Sequence, residues 1–352
     1  MTRPRWKRPT IAIVKAAVAA LVLWAVGRHV LRTWNDLAAR GVDLHFDPTW
    51  LAISGALYLA GLSACGFFYG AILRAGPTPI GMVPALRAYL VSHLGKYVPG
   101  KAMVVVMRAG LSMPFGARGA TAAIATFYET LVMMASGGLV AAAGFGAATG
   151  SGQVSLDIPG WGPVDLPMYR LASLASLALG LAFLAVVAPP VFGRLARFIS
   201  LPIPGVGPEA MPGLSGGLLG AGVLATSIGW ALLGASQLAV VWAMGSGIEP
   251  SALIATAPVV IASVALATVA GFVVAVMPGG LGVREGVLMS ALAPALGADR
   301  AVVAALVLRL VWVAAEVLAA AVLVPILRPG RVTPDAHTGT NPSLPAEVRP
   351  NP

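Results

Sequence analysis

Charged residues are scarce in this chain of 352 residues: Asp, Glu, Lys and Arg make up 10% of it, against roughly 25% in soluble domains. Hydrophobic residues make up 58%, and several apolar runs reach the ~20 residues that a helix needs to cross a bilayer. Cysteine is almost absent, and a single thiol, Cys65, excludes a disulfide framework and a cysteine-based metal site. The composition therefore predicts an all-α polytopic membrane protein.

Other absences argue against whole classes of function. The four histidines show no metal-ligand spacing, and the sequence has no Walker A motif for binding and hydrolysing ATP. The net charge of +10 is not arranged as a basic stripe with interleaved aromatics, so nucleic acid is not expected as a partner. The segment 213–217 fits a nucleophile-elbow pattern, but no strand precedes it and no His/Asp partner is evident. We therefore expect no cofactor, no metal and no enzymatic activity.

Apolar runs predict six membrane spans, and two further segments predict hairpins. The segment 82–110 carries too much charge for a lipid-facing span, whereas 253–297 is apolar as far as Met277, then breaks and resumes as a short helix. Each segment is expected to be a re-entrant or broken-helix hairpin. Two alternatives stay open: 253–297 is one full span plus a half-helix, or the protein has eight spans. The six spans are expected at about 11–31, 50–73, 118–146, 170–192, 215–245 and 300–327.

Positive charge collects at the ends of these segments, as it does in cytoplasmic loops. The basic N-terminus and the pair Arg194 and Arg197 are therefore placed inside, and the loop 147–169, which lacks Lys and Arg, is placed outside. If 253–297 enters and leaves on one side, the basic tail also lies inside. The sequence thus predicts a multi-pass protein of the cytoplasmic (inner) membrane with both termini in the cytoplasm.

The order of elements repeats within the chain. One integral membrane domain is expected over 1–327, with halves at about 10–146 and 170–327, each containing a span, a hairpin and a second span. The halves are predicted to have opposite orientation, as in transporters built from inverted repeats. Residues 328–352 are rich in proline and poor in apolar residues, and we expect a disordered cytoplasmic tail there.

Small residues four positions apart are typical of close helix packing. Two such pairs occur, Gly66 with Gly70 in one predicted span and Gly216 with Gly220 in another. We expect a neighbouring helix to approach closely at both.

The first hairpin breaks at Pro99 and Gly100, and three cations lie around the break: Lys96, Lys101 and Arg108. Broken helices in corresponding halves of a membrane protein indicate a transport site, since backbone freed by Pro and Gly must be buried in protein or line a cavity. We predict that Pro99 and Gly100 form a hinge and that the three cations bind an anionic headgroup. The alternative is that they are ordinary cytoplasmic positive charge.

The second hairpin breaks at Pro278, a predicted hinge, and leads into Arg284, Glu285 and an apolar helix. The start of that helix offers free backbone N–H groups and the positive end of the helix dipole. Arg284 adds a planar guanidinium that can donate two parallel hydrogen bonds to a phosphate. The alternative is a plain helix break in which Arg284 and Glu285 satisfy each other. Three glycines would let backbone N–H groups approach an anion: Gly279, Gly280 and Gly282.

Three charged residues fall inside predicted spans. Glu129 lies near the middle of 118–146, Arg309 near the middle of 300–327, and Glu316 seven residues later on the same helical face. A charge at the bilayer centre costs about 2.5–3.5 kcal/mol, so these side chains should face the interior, pair, or line water. Two interpretations stay open: a Glu–Arg pair that only locks two helices, or a role in binding or gating.

At these residues the chain resembles the transmembrane region of the lysylphosphatidylglycerol synthase/flippase family. The similarity covers about residues 10–327 and implies a flippase-like membrane protein that handles phospholipids, aminoacyl-phospholipids, hopanoids or polyprenyl-phosphate glycolipids. Two-domain members also carry a soluble aminoacyl-transferase domain; it is not expected here, so lipid aminoacylation is not implied. The motifs that carry the resemblance are 95–101 with Arg108, Glu129, and 278–285 followed by Arg309.

The sequence therefore predicts a translocase for a phosphate-bearing lipid of the cell envelope, with Glu129 and Glu285 positioning cations or exchanging protons. A membrane glycosyltransferase, an accessory protein in lipid-linked glycan synthesis, and a small-solute or ion transporter stay as alternatives. The expected partner is a membrane lipid with an anionic headgroup; a second copy of the chain and a lipid-modifying enzyme are further candidates. The residues expected to hold the headgroup are Arg284, Arg309, Lys101, Arg108 and Lys96.

Overall fold

The structure is a computed structural model. Most of the first predicted span and the whole tail 328–352 lie outside the residues it describes. Besides six isolated positions between 24 and 35, the described residues are 46–98, 102–148, 153–158, 162–200, 212–245, 250–274 and 283–326.

Helices dominate the described chain. By length and composition six segments of the described residues can cross a membrane: α1, α4, α5, α7, α10 and residues Ile254–Val273 of α8. The prediction of an all-α polytopic membrane protein is therefore confirmed. The helices are α1 (Pro48–Arg74), α2 (Met82–Ser92), α3 (Ala102–Ser112), α4 (Gly119–Gly146), α5 (Met168–Val187), α6 (Pro189–Ser200), α7 (Gly216–Ala243), α8 (Pro250–Val273), α9 (Val283–Leu296) and α10 (Ala298–Ile326).

The first helix of each half begins at a capping side chain. Asp47 precedes α1, and its carboxylate accepts the backbone N–H of Thr49 at 2.8 Å. Ser215 precedes α7, and its hydroxyl accepts the N–H of Leu218 at 3.1 Å. Both side chains satisfy a donor that the first helical turn leaves without a partner.

A short β-hairpin connects α4 to α5. Strand β1 (Gln153–Ile158) pairs antiparallel with β2 (Gly162–Pro167). It lies in the loop that the sequence places outside the membrane, and no other strand occurs among the described residues. The hydrogen bonds between the two strands give partners to backbone N–H and C=O groups of a segment that belongs to no helix.

Helices α1 and α7 run side by side in opposite directions. The hydroxyls of Ser54 and Ser236 lie 2.8 Å apart. Seven residues further along α1, a β-carbon placed on Gly61 would lie 2.9 Å from the carbonyl oxygen of Gly229, which is seven residues back along α7. Because the contact moves forward on one helix and backward on the other, the first helices of the two halves have inverted orientation.

One packing pattern occurs twice among the helices, in α1–α4 and again in α7–α10. In each set the first helix packs against the first arm of the hairpin, the arms pack together, and the second arm packs against the closing helix. Across the sets, α4 packs against α8 and α10 packs against α2. With the antiparallel α1 and α7, this pattern gives the two inverted halves that the sequence predicts.

The first hairpin enters from the C-terminal end of α1. Its base is closed where the backbone N–H of Arg118 donates to the Thr78 hydroxyl at 3.0 Å. Both arms, α2 and α3, have 11 residues and are too short to cross a bilayer. A 3-10 turn (His93–Tyr97) follows α2 and carries Lys96 to Tyr58, well inside α1.

The second hairpin enters from the opposite end. The carbonyl of Ala243, which ends α7, accepts the N–H of Asp47 at 2.9 Å, so α8 starts beside the N-terminal end of α1. The two arms are unequal: α8 has 24 residues, including a segment long enough to cross a membrane, whereas α9 has 14. The hairpin thus combines one arm of full span length with one short arm.

The two glycine pairs behave differently. Beta-carbons placed on Gly66 and Gly70 would lie 2.7 and 2.5 Å from side-chain atoms of α2, so this pair allows the close approach that the spacing predicts. Beta-carbons placed on Gly216 and Gly220 would meet no other residue within 4 Å. The prediction for the second pair is wrong, because the seam of α7 with α1 runs along another face.

Helix α6 is amphipathic, is too short to cross the membrane, and follows α5 after one residue. Phe192 faces the protein and packs edge-on against Tyr128 at 4.8 Å between ring centroids. Arg194 and Arg197 are exposed on a second face. A third face is apolar and exposed: Val191, Leu195 and Phe198. Such a helix is typical of the membrane interface, with one face in lipid and a basic face among headgroups.

Candidate functional site

A cavity of about 280 Å³ lies where the two hairpins approach each other. Four predicted site residues line it: Lys96, Arg108, Glu129 and Arg284. The structure therefore brings cations of both hairpins to one place. Much of the remaining wall is aromatic, from Tyr58, Tyr89, Phe127, Trp230, Phe272 and Trp312.

Arg108 and Glu129 form a buried ion pair that ties α3 to α4. Arg108 Nη1 donates to Glu129 Oε2 at 2.9 Å, and the side chains are 2% and 1% exposed. Arg108 Nε donates to the Ser92 hydroxyl at 3.0 Å, and the Tyr89 hydroxyl donates to Glu129 Oε1 at 2.8 Å. These bonds satisfy both charges, so this pair fits the helix-locking interpretation, with Arg108 as the partner of Glu129.

Lys96 and Glu316 form a second pair, between the 3-10 turn of the first hairpin and α10. The Lys96 ammonium and the Tyr58 hydroxyl both donate to Glu316 Oε1. Glu316 is 1% exposed, and its Oε2 is buried with no hydrogen-bond partner among the described residues. Lys96 is 27% exposed and lines the cavity, whereas Glu316 does not. Lys96 therefore stands between the cavity and a buried carboxylate.

Arg309 and Glu285 form a third pair, between α10 and α9, with Nη1 and Oε1 2.7 Å apart. Its place in the second half matches that of Arg108 with Glu129 in the first, but the charges are exchanged between the hairpin arm and the closing helix. Neither Arg309 nor Glu285 lines the cavity. Glu285 pairs with Arg309, so the alternative of an Arg284–Glu285 pair is wrong.

Arg284 is held by an aromatic ring. Its guanidinium carbon lies 4.4 Å from the centroid of Trp312, and Tyr58 stacks on the same indole at 4.3 Å. Two groups at these distances cannot share one face, so Trp312 is enclosed between Arg284 and Tyr58. The indole N–H donates to the Ser236 hydroxyl at 2.9 Å and fixes the ring. Arg284 therefore keeps its position without a carboxylate.

The charges around the cavity do not balance. Each of the three carboxylates, Glu129, Glu285 and Glu316, has its own cation. Arg284 is the additional cation, and no carboxylate of the described residues forms a salt bridge with it. The described site therefore carries a net positive charge at the end of a cavity whose other walls are largely apolar.

Seven predicted site residues lie outside the described part of the chain, so their placement stays a prediction: Pro99, Gly100, Lys101, Pro278, Gly279, Gly280 and Gly282. The aromatic residues at the cavity were not predicted, because an aromatic side chain in an apolar span gives no signal of its own. Only their shared contact with cations identifies Tyr58 and Trp312. Among the described residues, no group of three or more His, Cys, Asp or Glu side chains is arranged to hold a metal ion.

Comparisons of the chain with protein-family models, with curated proteins and with solved structures find no match. The fold and the site therefore define the class of protein: a polytopic helical membrane protein with inverted halves and a cationic cavity between two hairpins. The family resemblance of its motifs stays a prediction.

Proposed function

We propose that the protein is a lipid translocase that moves a phosphate-bearing lipid across the cytoplasmic membrane. The lipid would be a phospholipid, an aminoacyl-phospholipid or a polyprenyl-phosphate glycolipid, as in the family that the motifs resemble. The observation that carries the proposal is Arg284, which lines the cavity without a carboxylate partner among the described residues. A phosphate oxygen pair fits the planar fork of a guanidinium.

The shape and lining of the cavity support a lipid headgroup as the occupant. A volume of about 280 Å³ suits a headgroup, but it is too small for a pair of acyl chains. Aromatic and aliphatic walls favour the glycerol or prenyl end of such a molecule, and the tails would stay in the surrounding bilayer. Only the charged part then needs a protected route across the membrane.

The inverted halves support translocation over simple binding. The two hairpins enter from opposite ends of the molecule, and their cations line the same cavity. Opposed broken helices around a central site are the arrangement in which rocking of one half against the other opens the site to each side in turn. If no cation or proton moves with the headgroup, an inside-negative potential would favour outward movement of its one negative charge by about 2.3 kcal/mol per 100 mV.

The test is a leaflet-exchange assay with purified protein in liposomes. A fluorescent phosphatidylglycerol analogue is placed in both leaflets, and dithionite bleaches only the outer one. Translocation is expected to expose the inner-leaflet label to bleaching, and a neutral diacylglycerol analogue with the same tails gives no protein-dependent exchange beyond its spontaneous rate. Arg284→Gln is expected to abolish the exchange of the anionic lipid.

The same preparation separates the alternatives. Label protected at the same level as in protein-free liposomes, for every phosphate-bearing lipid tried, would contradict the proposal. Sugar transfer to a polyprenyl phosphate by the purified protein would instead identify a glycosyltransferase. Flux of a water-soluble anion without any need for lipid would identify a solute transporter.

A further inference from the structure

The Lys96–Glu316 pair differs from the other two ion pairs in which of its members line the cavity. Arg108 and Glu129 both line the cavity and are fully buried, and Arg309 and Glu285 both lie off it. Only in the Lys96–Glu316 pair does the cation line the cavity while its carboxylate is hidden behind it. An anion entering the cavity therefore meets Lys96 before Glu316.

An anionic headgroup and Glu316 compete for one ammonium. Lys96 ends a long flexible stem, and its Nζ also lies 5.1 Å from the Tyr97 ring and 5.8 Å from the Tyr58 ring, within reach of both faces. If Lys96 turns to the ligand, Glu316 remains 1% exposed, and its remaining hydrogen-bond donors among the described residues are the neutral hydroxyls of Tyr58 and Tyr97. A buried carboxylate without its cation is strongly unfavourable, and a proton removes that charge.

We propose that Glu316 is a proton-binding site linked to the cavity, so that each anionic headgroup that draws Lys96 away from Glu316 brings one proton to that carboxylate. This inference rests on the proposed function. The Lys96 ammonium keeps its three protons, and the proton on Glu316 comes from water on the side to which the cavity is open. Oε2, for which the described part of the chain supplies no hydrogen-bond partner, is the oxygen left to carry it. One negative headgroup and one proton then move together without net charge.

Other titratable and charged groups near Glu316 bear on the same test. Tyr58 belongs to α1, Arg284 to α9 and Arg309 to α10, and none of these ordinarily titrates near neutral pH. A histidine ordinarily does titrate there, and His93 lines the cavity with its Nδ1 3.0 Å from the Tyr89 carbonyl oxygen. A control must therefore separate His93 from Glu316. The groups within electrostatic reach of the pair are Tyr58, His93, Tyr97, Arg284 and Arg309.

The experiment measures binding of short-chain phosphatidylglycerol to purified protein in detergent at several pH values, with proton exchange followed in weak buffer. This lipid is a phosphodiester and keeps one negative charge across the range, so its own titration does not interfere. Linkage requires that binding coupled to proton uptake strengthens as pH falls, by about tenfold per pH unit at most. We expect that trend, together with an uptake that approaches one proton per bound lipid.

Three variants locate the proton. Glu316→Gln keeps the shape but needs no proton, so it should bind the lipid at every pH with the affinity that wild type reaches at low pH, and without proton uptake. Lys96→Gln leaves Glu316 protonated from the start and should also take up no proton. His93→Gln is the control and should retain both the pH trend and the uptake. Thermal unfolding of each variant is recorded in parallel.

The outcomes distinguish this inference from the proposed function. If wild type binds the lipid equally at every pH and takes up no proton, the linkage is wrong and the translocase proposal is untouched. The linkage is also wrong if Glu316→Gln keeps the pH trend, or if His93→Gln loses it. If wild type binds no phosphate-bearing lipid at any pH, the proposed function itself fails.

Discussion

At the scale of single residues, the three ion pairs differ in what each one can do. The Arg108–Glu129 pair is buried, and both side chains make further hydrogen bonds, so the pair holds α3 against α4. The Arg309–Glu285 pair is 17% and 15% exposed and ties the second hairpin to α10. The sequence identified all four of these residues, but the partners that it offered as alternatives differ from the pairs in the structure, because pairing depends on which helices meet in space. Arg284, left without a carboxylate in the described region, is the residue to which the proposed function assigns headgroup binding.

Breaking the buried Arg108–Glu129 pair should reduce the stability of the protein. Arg108→Met removes one partner and leaves Glu129 as an uncompensated buried charge, which costs about 3–5 kcal/mol. Adding Glu129→Leu removes that charge, and we expect the double variant to recover most of the loss. Thermal unfolding in detergent measures both effects. A double variant no more stable than Arg108→Met would mean that the carboxylate was not the source of the loss.

Arg284 should affect binding without affecting the fold. Arg284→Lys keeps the charge but loses the planar fork and much of the stacking on Trp312, whereas Arg284→Gln loses the charge as well. Because hydrogen bonds to charged groups contribute about 1.5–3 kcal/mol, we expect about 10- to 100-fold weaker binding of short-chain phosphatidylglycerol by Arg284→Gln and a smaller loss by Arg284→Lys. Arg300→Gln, at an exposed position of α10, is the matched control. Unchanged affinity in both Arg284 variants would remove this residue from the site.

At the scale of elements, the seam between α1 and α7 depends on residues without side chains. Gly61 and Gly229 let the two backbones approach so closely that a β-carbon on either glycine would lie 3.1 Å or less from a neighbouring atom. The spacing of small residues in the sequence pointed to Gly216 and Gly220 on α7, which face open space. Spacing alone cannot tell which face of an all-apolar helix meets its partner, since every face is equally apolar.

Alanine substitutions along this seam should separate packing from helix propensity. Gly61→Ala forces α1 away from α7, and we expect a loss of about 1–3 kcal/mol in stability from overpacking. Gly220→Ala, in the same pair of helices but in open space, should be neutral or slightly stabilising, because alanine favours the helix over glycine. Unfolding of both variants in detergent makes the comparison. Equal losses would show that close approach at Gly61 is not what holds the seam.

Helix α6 should lie in the membrane interface with its apolar face inward. In a Cys65→Ser background, single cysteines at Phe198 and Arg197 can carry an environment-sensitive fluorophore, and brominated lipids in nanodiscs quench whichever label reaches the acyl chains. We expect strong quenching of the label at 198 and weak quenching at 197, since these positions belong to different faces of the helix. Equal quenching at both positions would contradict this placement of the helix.

At the scale of the whole molecule, hydropathy and charge were enough to predict an all-α membrane protein with two inverted halves and two broken hairpins. They left open whether 253–297 is one full span plus a half-helix or a re-entrant hairpin. An apolar run tells how long a helix can be, not how deep it goes, and α8 proves long enough to cross while α9 is not. The enclosure of Trp312 between Arg284 and Tyr58 could not be predicted from the sequence, because it joins residues from three different helices.

The inverted arrangement predicts which ends of the helices share a side of the membrane. Thr49 and Asp299 are exposed at the starts of α1 and α10, and Arg74 is exposed at the end of α1. The Thr78–Arg118 hydrogen bond closes the first hairpin, and the Gln237 amide near the end of α7 donates to the Ala304 carbonyl near the start of α10 at 3.4 Å. Both hairpins therefore return to the end from which they entered, and a cysteine at Asp299 should be labelled from the same side as one at Thr49. A cysteine at Arg74 should be labelled from the other side.

Labelling of intact cells with a membrane-impermeant maleimide shows which side of the membrane each introduced cysteine faces. Cys65→Ser is the background for all of these variants. The charge distribution places Arg74 in the cytoplasm, so Thr49→Cys and Asp299→Cys should react from outside and Arg74→Cys only after permeabilisation. Reaction of Asp299→Cys and Arg74→Cys from one side would mean that the second hairpin crosses the membrane completely. The basic segment after α10 would then lie outside, against the charge rule, and the two hairpins would no longer enter the cavity from opposite faces.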